Sequence, residues 1–465
     1  MCVRRELVTA KIAKKNREVR EENLLYCGLC PWFGKTGTSD MNCFRLLVCL
    51  LMMNRVLLIN FSGGDRPGLT SSLAEILATY RVRILDIGQA VVHETLTLAI
   101  LIEVPSGEEF TPLKKDLIVR AHELDLKIKF TPVSDEAFDH WVRSQGKFRF
   151  IVSVLGRVVS AEQLAKASSA ISRHGFNIDR IERLSGRLSL TGRLESANAC
   201  IELEISGEKD ASSALRAELM ELTHRFEIDI AFQRESIYRR NRRLVAFDMD
   251  STLIQAEVID ELAKLHGVGE QVSAITASAM RGELDFKQSF TRRLSLLRGL
   301  PAVRLNDLLH TVQLADGAER LISTLKMLGY KTAILSGGFT FFGKHLQARL
   351  GIDYVFANEL EIDDEALTGR AASEIVDGKK KAELLAAIAA KENISLDQVV
   401  AVGDGANDLP MLNVAGMGIA FHAKPLVRRS ANHAVSHLGL DSILYLIGVR
   451  DRDLDRPEFR SSGAG

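Results

Sequence analysis

Apolar and polar positions along residues 55–132 form a regular pattern that predicts six elements. Apolar or alternating runs at 55–61, 82–92, 95–104 and 126–132 predict β-strands, and apolar positions at helical spacing predict helices at 69–80 and 113–123. This strand–helix–strand–strand–helix–strand order is the ferredoxin-like α+β arrangement. The same order returns over residues 148–232. We therefore predict two small α+β domains in tandem, at 54–135 and 146–235.

From residue 244 onward, predicted strands alternate with predicted helices. Short apolar runs at 245–247, 331–335 and 399–402 predict buried parallel strands, and helical spacing predicts intervening helices that include 257–266 and 382–391. We therefore predict an α/β domain at 244–450, with a three-layer, Rossmann-like parallel sheet. Residues 451–465 are predicted to be a flexible tail.

Composition narrows the class of protein. The 465 residues are 46% hydrophobic and 26% charged, which is typical of a globular protein of several domains. Lys+Arg and Asp+Glu both number 60. A formal net charge of zero argues against a nucleic-acid partner or an anionic membrane surface.

The first 53 residues differ from the rest. They hold five of the six cysteines, so no disulfide framework is expected in the main body, and a reducing cytoplasm fits. Cys27 and Cys30 have the spacing of half a zinc site or a redox pair, but partner ligands at matching spacing are missing. The apolar run 46–53 is too short for a membrane span, which needs about 20 residues. We predict that residues 1–53 are a poorly ordered extension, and translation starting at Met52 or Met53 is a hypothesis that N-terminal sequencing would test.

The connection between the second small domain and the α/β domain is strongly charged. Residues 235–243 hold four arginines in their last five positions. A charge run is usually a solvated connection, and we predict one here.

Acidic and hydroxyl side chains follow the first strand of the α/β domain. Asp248, Asp250 and Thr252 come directly after the apolar run 245–247. Open α/β sheets place their chemistry at this end of the strands. Two neighbouring carboxylates repel unless a cation lies between them. The alternative is a solvated turn with two surface acids.

Three further signals follow in order. The strand at 331–335 ends in Ser336-Gly337-Gly338, whose hydroxyl and backbone amides can hold phosphate oxygens. Lys381 at the start of a helix can neutralise such an oxygen. The strand at 399–402 leads into two acids and an amide, Asp404, Asn407 and Asp408. Each could be an ordinary turn or surface cluster, but their joint placement at strand ends favours a phosphate site.

This arrangement resembles the haloacid dehalogenase-like superfamily, and within it the phosphoserine phosphatase family, over about 244–448. The resemblance implies that Asp248 is the nucleophile and Asp250 the general acid and base. It implies Mg²⁺ on the Asp248 carboxylate, the Asp250 carbonyl and Asp404, with Asp408 orienting the metal's water shell. Ser336, Gly337 and Lys381 would hold the phosphoryl group, with Thr252 in a supporting role.

The segment after the first strand would form a helical cap, about 257–312, that selects the substrate. The resemblance implies that Glu257 meets the substrate's ammonium, Arg293 its carboxylate, and Asn407 the substrate itself. Met280 and Phe286 would shield the site from water. Without the resemblance, Glu257 and Arg293 could equally be exposed helix charges.

The first small domain resembles an ACT domain, a regulatory module that binds amino acids. The resemblance rests on the turn Gly64-Asp65-Arg66-Pro67-Gly68 between strand and helix. Glycines there let backbone amides approach a ligand carboxylate. The matching turn of the second domain, 156–160, lacks the Asp and the Pro-Gly, so a structural or dimer-forming role is expected for it. A Gly-rich turn without a ligand is the alternative for the first.

The sequence thus predicts a Mg²⁺-dependent phosphatase that converts O-phospho-L-serine to serine and phosphate, the last step of serine biosynthesis, through an aspartyl-phosphate. L-serine would act on the first ACT-like domain, and the chain would form a homodimer. The alternatives are a phosphatase for another small phosphate or for phosphoprotein, and an amino-acid-sensing protein with an inactive phosphatase domain.

Overall fold

The computed structural model describes residues 56–105, 110–187, 198–208, 210–431 and 433–454. The predictions for residues 1–53, including the cysteine pair and the start of translation, fall outside these ranges. Two compact units divide the chain at Gly146. Among the described residues, no helix is both long and apolar enough to span a bilayer.

The first unit contains the predicted ferredoxin-like domain. A four-stranded antiparallel sheet of order β2-β3-β1-β4 packs its apolar face on two helices. Alternate residues of the central strand β1, such as Leu57, Ile59 and Phe61, are buried in this core. One further helix, α3, follows the sheet and was not predicted. The elements are β1 Val56–Gly64, α1 Leu69–Thr79, β2 Arg83–Val92, β3 Thr95–Glu103, α2 Phe110–Glu123, β4 Leu126–Val133 and α3 Asp135–Arg143.

The second copy opens the other unit and has the same topology, with strand order β6-β7-β5-β8. Ser160 begins its first helix with a capping box, which explains why the helix starts there although the turn lacks the Pro-Gly of the first copy. Its elements are β5 Phe148–Gly156, α4 Ala161–Arg173, β6 Phe176–Arg183, β7 Ala199–Gly207, α5 Ser212–Phe226 and β8 Asp229–Arg234.

The α/β domain is built on a six-stranded parallel sheet of order β11-β10-β9-β14-β15-β16. The central strand β9 is buried on both faces: Val245 and Phe247 belong to one core cluster, and Leu244 and Ala246 to another. This confirms the predicted three-layer arrangement. The strands are β9 Leu244–Phe247, β10 Lys331–Phe339, β11 Tyr354–Asn358, β14 Val399–Gly403, β15 Met417–Phe421 and β16 His433–Val435.

Helices cover both faces of this sheet, and a separate group of helices lies between β9 and β10. The covering helices are α10 Ala318–Met327, α11 Thr340–Leu350, α12 Gly378–Lys391, α13 Leu409–Val414, α14 Pro425–Ser430, α15 Ile443–Leu446 and α16 Asp451–Leu454. The cap helices are α6 Val258–His266, α7 Gly269–Met280, α8 Phe286–Ser295 and α9 Leu305–Leu309. A two-stranded hairpin, β12 Leu360–Asp363 and β13 Ala366–Ala371, was not predicted.

The predicted flexible tail starts too early. Residues 451–454 form α16, and the Asp451 carboxylate accepts hydrogen bonds from Gly186 N and from the Tyr445 hydroxyl, at 2.6 and 2.9 Å. Gly186 is distant in sequence from Asp451, so the local pattern does not reveal this contact.

The second small domain packs directly on the α/β domain. Leu155, Leu184, Cys200 and Ala231 from the small domain belong to the same core cluster as Val245 of β9. The elements β8 and β16, the edge strands of the two sheets, lie against each other. The two domains therefore share one core.

The prediction of a solvated arginine linker holds for Arg240 and Arg243, which are exposed, but is wrong for Arg239 and Arg242. Arg239 is 3% exposed and forms an ion pair with Glu202, which is 2% exposed. Arg242 is 8% exposed and donates to the carbonyl oxygens of Asp397 and Gly416. A buried charge is tolerated only when it is paired or hydrogen-bonded, and these partners provide both.

Candidate active site

Asp248 lies where β9 ends, and the sheet fixes its position. Its backbone N–H donates to Val402 O of the neighbouring strand at 2.9 Å, so β9 and β14 are still paired at this residue. One carboxylate oxygen accepts the Met249 N–H at 2.7 Å, and the other lies 2.8 Å from Nζ of Lys381. The side chain is 7% exposed. A carboxylate held on both oxygens at the end of a buried strand is preorganised to face one direction.

Three carboxylates converge at this sheet edge. Oxygens of Asp248, Asp404 and Asp408 all lie within 4.8 Å of one another. Gly403 permits this, because a Cβ there would lie 2.5 Å from Cγ of Asp408. The Thr252 hydroxyl donates to Asp404 at 3.2 Å. The predicted ligands Asp248 and Asp404 are thus brought together, and Asp408 lies with them.

The donor set fits Mg²⁺. It consists of oxygen atoms on short side chains, which is what this hard cation prefers. Burial, with Asp248 and Glu257 next in effect, raises the pKa of Asp404 to about 7. Burial and Asp248 also raise the pKa of Asp408 to about 8, although its Oδ1 lies 2.6 Å from Nζ of Lys381. Each carboxylate disfavours ionisation of its neighbours, and a bound cation would relieve this repulsion.

Lys381 is the positive charge within this cluster. It is fully buried, in the first turn of α12, and its ammonium lies between Asp248 and Asp408. Burial alone would lower its pKa, but the two carboxylates outweigh burial and the pKa is raised. Lys381 is therefore charged at neutral pH.

Asp250 has the surroundings of a proton donor. Burial, followed by Glu257 and Asp248, raises its pKa well above the usual value. One carboxylate oxygen accepts the Val258 N–H at 3.4 Å, at the start of α6. The raised pKa favours the protonated form of Asp250, and two acids in unlike environments can divide the roles of base and acid.

Ser336 and Gly337 lie at the end of β10, next to this cluster. The Ser336 side chain is fully buried, and its hydroxyl accepts the Gly338 N–H at 2.9 Å. A Cβ on Gly338 would lie 2.6 Å from Asp250 Oδ2, which places the loop beside the acids. The predicted phosphate-holding residues therefore belong to the same site as Asp248 and Lys381.

Sequence reasoning missed Asn358. This fully buried side chain donates to Gly337 O at 2.7 Å and accepts the Val376 N–H at 2.7 Å. It therefore ties the C-terminal part of β10 to the segment that leads into Lys381. Its only sequence signal is an amide at the end of the apolar strand β11, which is a weak signal on its own.

The cap places two opposite charges near the acids. Glu257 precedes α6 and accepts the Ser251 hydroxyl at 3.0 Å. Although part of Glu257 is exposed, desolvation of its carboxyl group is the main cause of its raised pKa, and Arg293 is close enough to lower it. The Arg293 Nε in α8 is buried without a hydrogen-bond partner among the described residues. The Glu257 carboxyl group and the Arg293 guanidinium, whose Nε has no partner, are thus close enough to interact.

The two residues predicted to shield the site from water differ in their surroundings. Phe286 begins α8 and packs on Gly337, where a Cβ would lie 2.6 Å from its Cζ. It also stacks on Phe290, with the ring centroids 6.1 Å apart. Met280 ends α7 and is 64% exposed. The structure thus brings Phe286 against the phosphate loop, and the shielding role of Met280 stays a prediction.

The remaining predicted residues are placed as follows. Asn407 lies in the turn before α13, and its Oδ1 is close to Gly405. In the first unit, Gly64 ends β1, and Asp65 N donates to Glu94 O at 2.8 Å. Gly68 has φ of 91° immediately before α1, a conformation that glycine adopts without strain. The ligand expected at residues 64–68, including Pro67, stays a prediction.

Comparison with known families identifies all three domains. The haloacid dehalogenase-like hydrolase family matches residues 242–416, and ACT domain families match residues 55–131 and 149–233. The second small domain is thus also an ACT domain, although its turn departs from the pattern of the first.

Two relatives match this chain over nearly their whole length. A phosphoserine phosphatase of Streptomyces coelicolor is 41% identical over 412 residues, which cover 88% of this chain and 96% of the relative. One of Mycobacterium tuberculosis is 38% identical over 409 residues, which cover 88% and 95%. Among solved structures, a haloacid dehalogenase family hydrolase from Salmonella enterica superposes with a TM-score of 0.56 at 32% identity, over 64% of this chain and 99% of the other.

Proposed function

The chain belongs to the phosphoserine phosphatase family of haloacid dehalogenase-like hydrolases, and we propose that it hydrolyses O-phospho-L-serine to L-serine and phosphate through a phosphorylated Asp248. It is a phosphatase enzyme with two ACT domains. The observation that carries the mechanism is the pairing of Asp248 with Lys381 at 2.8 Å, inside a cluster of further buried acids.

The first step forms a bond from an Asp248 oxygen to phosphorus and breaks the bond from phosphorus to the serine oxygen. A carboxylate that approaches a phosphate dianion meets strong repulsion, and the buried ammonium of Lys381 reduces it. Asp250, whose pKa is raised, gives its proton to the departing serine oxygen.

The second step returns the enzyme to its starting state. Asp250, now ionised, takes a proton from water as the water oxygen attacks phosphorus. The bond from phosphorus to Asp248 breaks, and phosphate leaves. Ser336 and the backbone amides beside it hold the phosphoryl oxygens in both steps.

Mg²⁺ would be held by Asp248, Asp404 and the Asp250 carbonyl, with Asp408 orienting its water molecules. When bound, it supplies positive charge that stabilises the phosphoryl oxygens. The fit of the oxygen donors and the mutual repulsion of Asp248, Asp404 and Asp408 support this assignment.

Substrate choice is assigned to the cap. Glu257 would meet the ammonium of phosphoserine, and Arg293 would meet its carboxylate in the two-pronged geometry that suits guanidinium. The unpartnered Arg293 Nε supports this, because a buried donor without an acceptor calls for one. Asn407 would contact the substrate, and Phe286 and Met280 would exclude water.

Four further assignments complete the proposal. L-serine would bind the first ACT domain at residues 64–68, and the chain would act as a homodimer in the cytoplasm. The ACT family and the glycine-rich turn before α1 support the first of these. Production of serine would make the reaction the last step of serine biosynthesis.

Phosphate release from a panel of phosphorylated amino acids, with and without Mg²⁺, tests the substrate. We expect O-phospho-L-serine to be hydrolysed with the highest kcat/KM and only with Mg²⁺ present. A good rate with a bulky phosphate or a phosphopeptide, and a poor one with phosphoserine, would support the alternative substrate class. No hydrolysis of any substrate would support a regulatory protein with an inactive phosphatase domain.

A further inference from the structure

Unsatisfied hydrogen-bond donors concentrate at the junction between the second ACT domain and the α/β domain. Among the described residues, eight buried side-chain nitrogen or oxygen atoms have no hydrogen-bond partner. Four of them line two neighbouring cavities at this junction: Nε of Arg242, Nε of Arg428, Nδ1 of His433 and Oγ of Ser436. We call these two cavities, which share Arg216, Phe232 and His433, the junction cleft.

All four orphan groups can donate a hydrogen bond. An arginine Nε can only donate, a serine hydroxyl donates or accepts, and an imidazole nitrogen donates in one tautomer. Native proteins leave few buried polar groups unsatisfied, because removing such a group from water without a new hydrogen bond is unfavourable. A cleft in which every orphan group can donate is complementary to a ligand rich in acceptors.

The charge of the cleft points in the same direction. Arg242 and Arg428 make no ion pair within the described part of the chain. Two acids also line the cleft. Asp210 is exposed and accepts the Ser212 N–H. The Asp397 carbonyl accepts from Arg242, and the Asp397 charge offsets part of the lowering of the Arg242 pKa by burial, although the two side chains form no ion pair. Arg242 is buried and Arg428 half-buried, and an anion in the cleft would supply the ion pair that both guanidinium groups lack.

His433 supports a built site. It is 8% exposed and stands between the two domains at the start of β16. Burial, with the charges of Arg216 and Arg242, lowers its pKa to about 3, so the imidazole is neutral and one ring nitrogen is a donor. Arg216 reaches the same region from α5 of the ACT domain and donates to Ala431 O at 2.7 Å. Both domains therefore contribute to the cleft.

We propose that the junction cleft binds a small oxyanion, a phosphate or a carboxylate, between the second ACT domain and the α/β domain. The oxygens of the anion accept from Arg242, Arg428, Ser436 and His433. This site is distinct from the one at Asp248, since the two share no residue. Because the ligand contacts both domains, its binding stabilises their packing.

Equilibrium dialysis of the full chain against radiolabelled inorganic phosphate tests the proposal. We expect two phosphates per chain, one at the catalytic acids and one in the cleft. Arg428→Gln should weaken the cleft site about tenfold or more, because a charged hydrogen bond is lost. Arg429→Gln changes an exposed neighbour that does not line the cleft, and it should leave both sites unchanged.

A second variant distinguishes loss of the binding site from misfolding of the chain. Ser436→Ala removes only the orphan hydroxyl and should weaken the cleft site several-fold, while Ser430→Ala, whose hydroxyl bonds within α14, should not. Competition by unlabelled L-serine at the site that depends on Arg428 would show that the cleft accepts carboxylates. Absence of competition would restrict it to phosphate.

The outcomes separate this proposal from the catalytic one. If the chain bound one phosphate only, and Arg428→Gln abolished that binding, the result would support the junction site and contradict the catalytic assignment. Phosphate binding that neither Arg428→Gln nor Ser436→Ala changes would overturn the junction site, and would mean that water satisfies the four groups.

Discussion

At the scale of single residues, function depends on unlike environments for like side chains. Asp248 contacts Lys381 and a backbone amide, whereas Asp250 is desolvated next to two other acids, and its pKa is raised. On the cap, the environment of Arg293 is also unusual, because its Nε is buried without a hydrogen-bond partner among the described residues. Strand-end position indicated Asp248 and Asp250, and family resemblance indicated Arg293. The sequence did not indicate Asn358, because a single amide after a strand has no distinctive pattern.

Replacing Arg293 by Gln should separate carboxylate recognition from chemistry. We expect kcat/KM for O-phosphoserine to fall about 10- to 100-fold, as a charged hydrogen bond contributes about 1.5–3 kcal/mol. O-phosphoethanolamine lacks the carboxylate, so its kcat/KM should hardly change. Steady-state phosphate release with both substrates measures this, and Arg292→Gln on the exposed side of α8 is the control. Equal losses for the two substrates would contradict the assignment.

At the scale of elements, the strand ends set the site and the cap completes it. β9, β10 and β14 are neighbours in the sheet, which brings Asp248, Ser336 and Asp404 to one edge from distant parts of the sequence. This was predictable, because parallel strands place their carboxyl ends together. The hairpin β12–β13 was not, since its short strands follow no clear alternation. The contact of Phe286 with Gly337 was not predictable either, as it joins two elements through tertiary packing.

The close contact between Phe286 and Gly337 predicts a steric effect. Gly337→Ala would place a Cβ 2.6 Å from the Phe286 ring, so the cap or the loop must shift. Overpacking of this kind costs about 1–3 kcal/mol, and we expect kcat/KM to fall about tenfold. Adding Phe286→Leu should restore part of the activity. Gly269→Ala in α7 meets only ordinary contacts and serves as the control. Full activity of Gly337→Ala alone would contradict this account of the cap.

At the scale of the whole molecule, the second ACT domain and the α/β domain form one unit. They share a core cluster, and the N–H groups of Ser436 and His437 donate to the buried Asp229 carboxylate at 2.7 and 3.0 Å. The buried ion pair of Arg239 with Glu202 fixes the linker between them to the ACT domain. The domain order was predictable from repeated patterns, but this junction was not. The arginines of the linker have the composition of a solvated segment, and their partners lie far away in sequence.

The junction predicts a pH dependence of stability. The pKa of His433 is lowered to about 3 in the folded chain, from about 6.5 in an unfolded one. Between these values the unfolded chain binds a proton that the folded chain does not. The contribution of neutral His433 is thus full above about pH 6.5 and is lost as the pH falls, by up to about 1.4 kcal/mol per pH unit.

Urea unfolding of the full chain at pH 7.5 and pH 5, followed by circular dichroism, measures this dependence. His433→Gln should lose less stability than the natural chain on going to pH 5. The control His437→Gln changes an exposed histidine and should keep the full loss. An identical pH dependence in His433→Gln would contradict the assignment.

The central claim is that Asp248 forms a covalent bond to phosphorus. Acid quenching of the enzyme during turnover of ³²P-labelled O-phosphoserine with Mg²⁺, followed by peptide mapping, tests it most directly. We predict label on the peptide that contains Asp248, and no label or phosphate release after Asp248→Asn or in excess chelator. Turnover with the label elsewhere, or undiminished turnover by Asp248→Asn, would contradict the account.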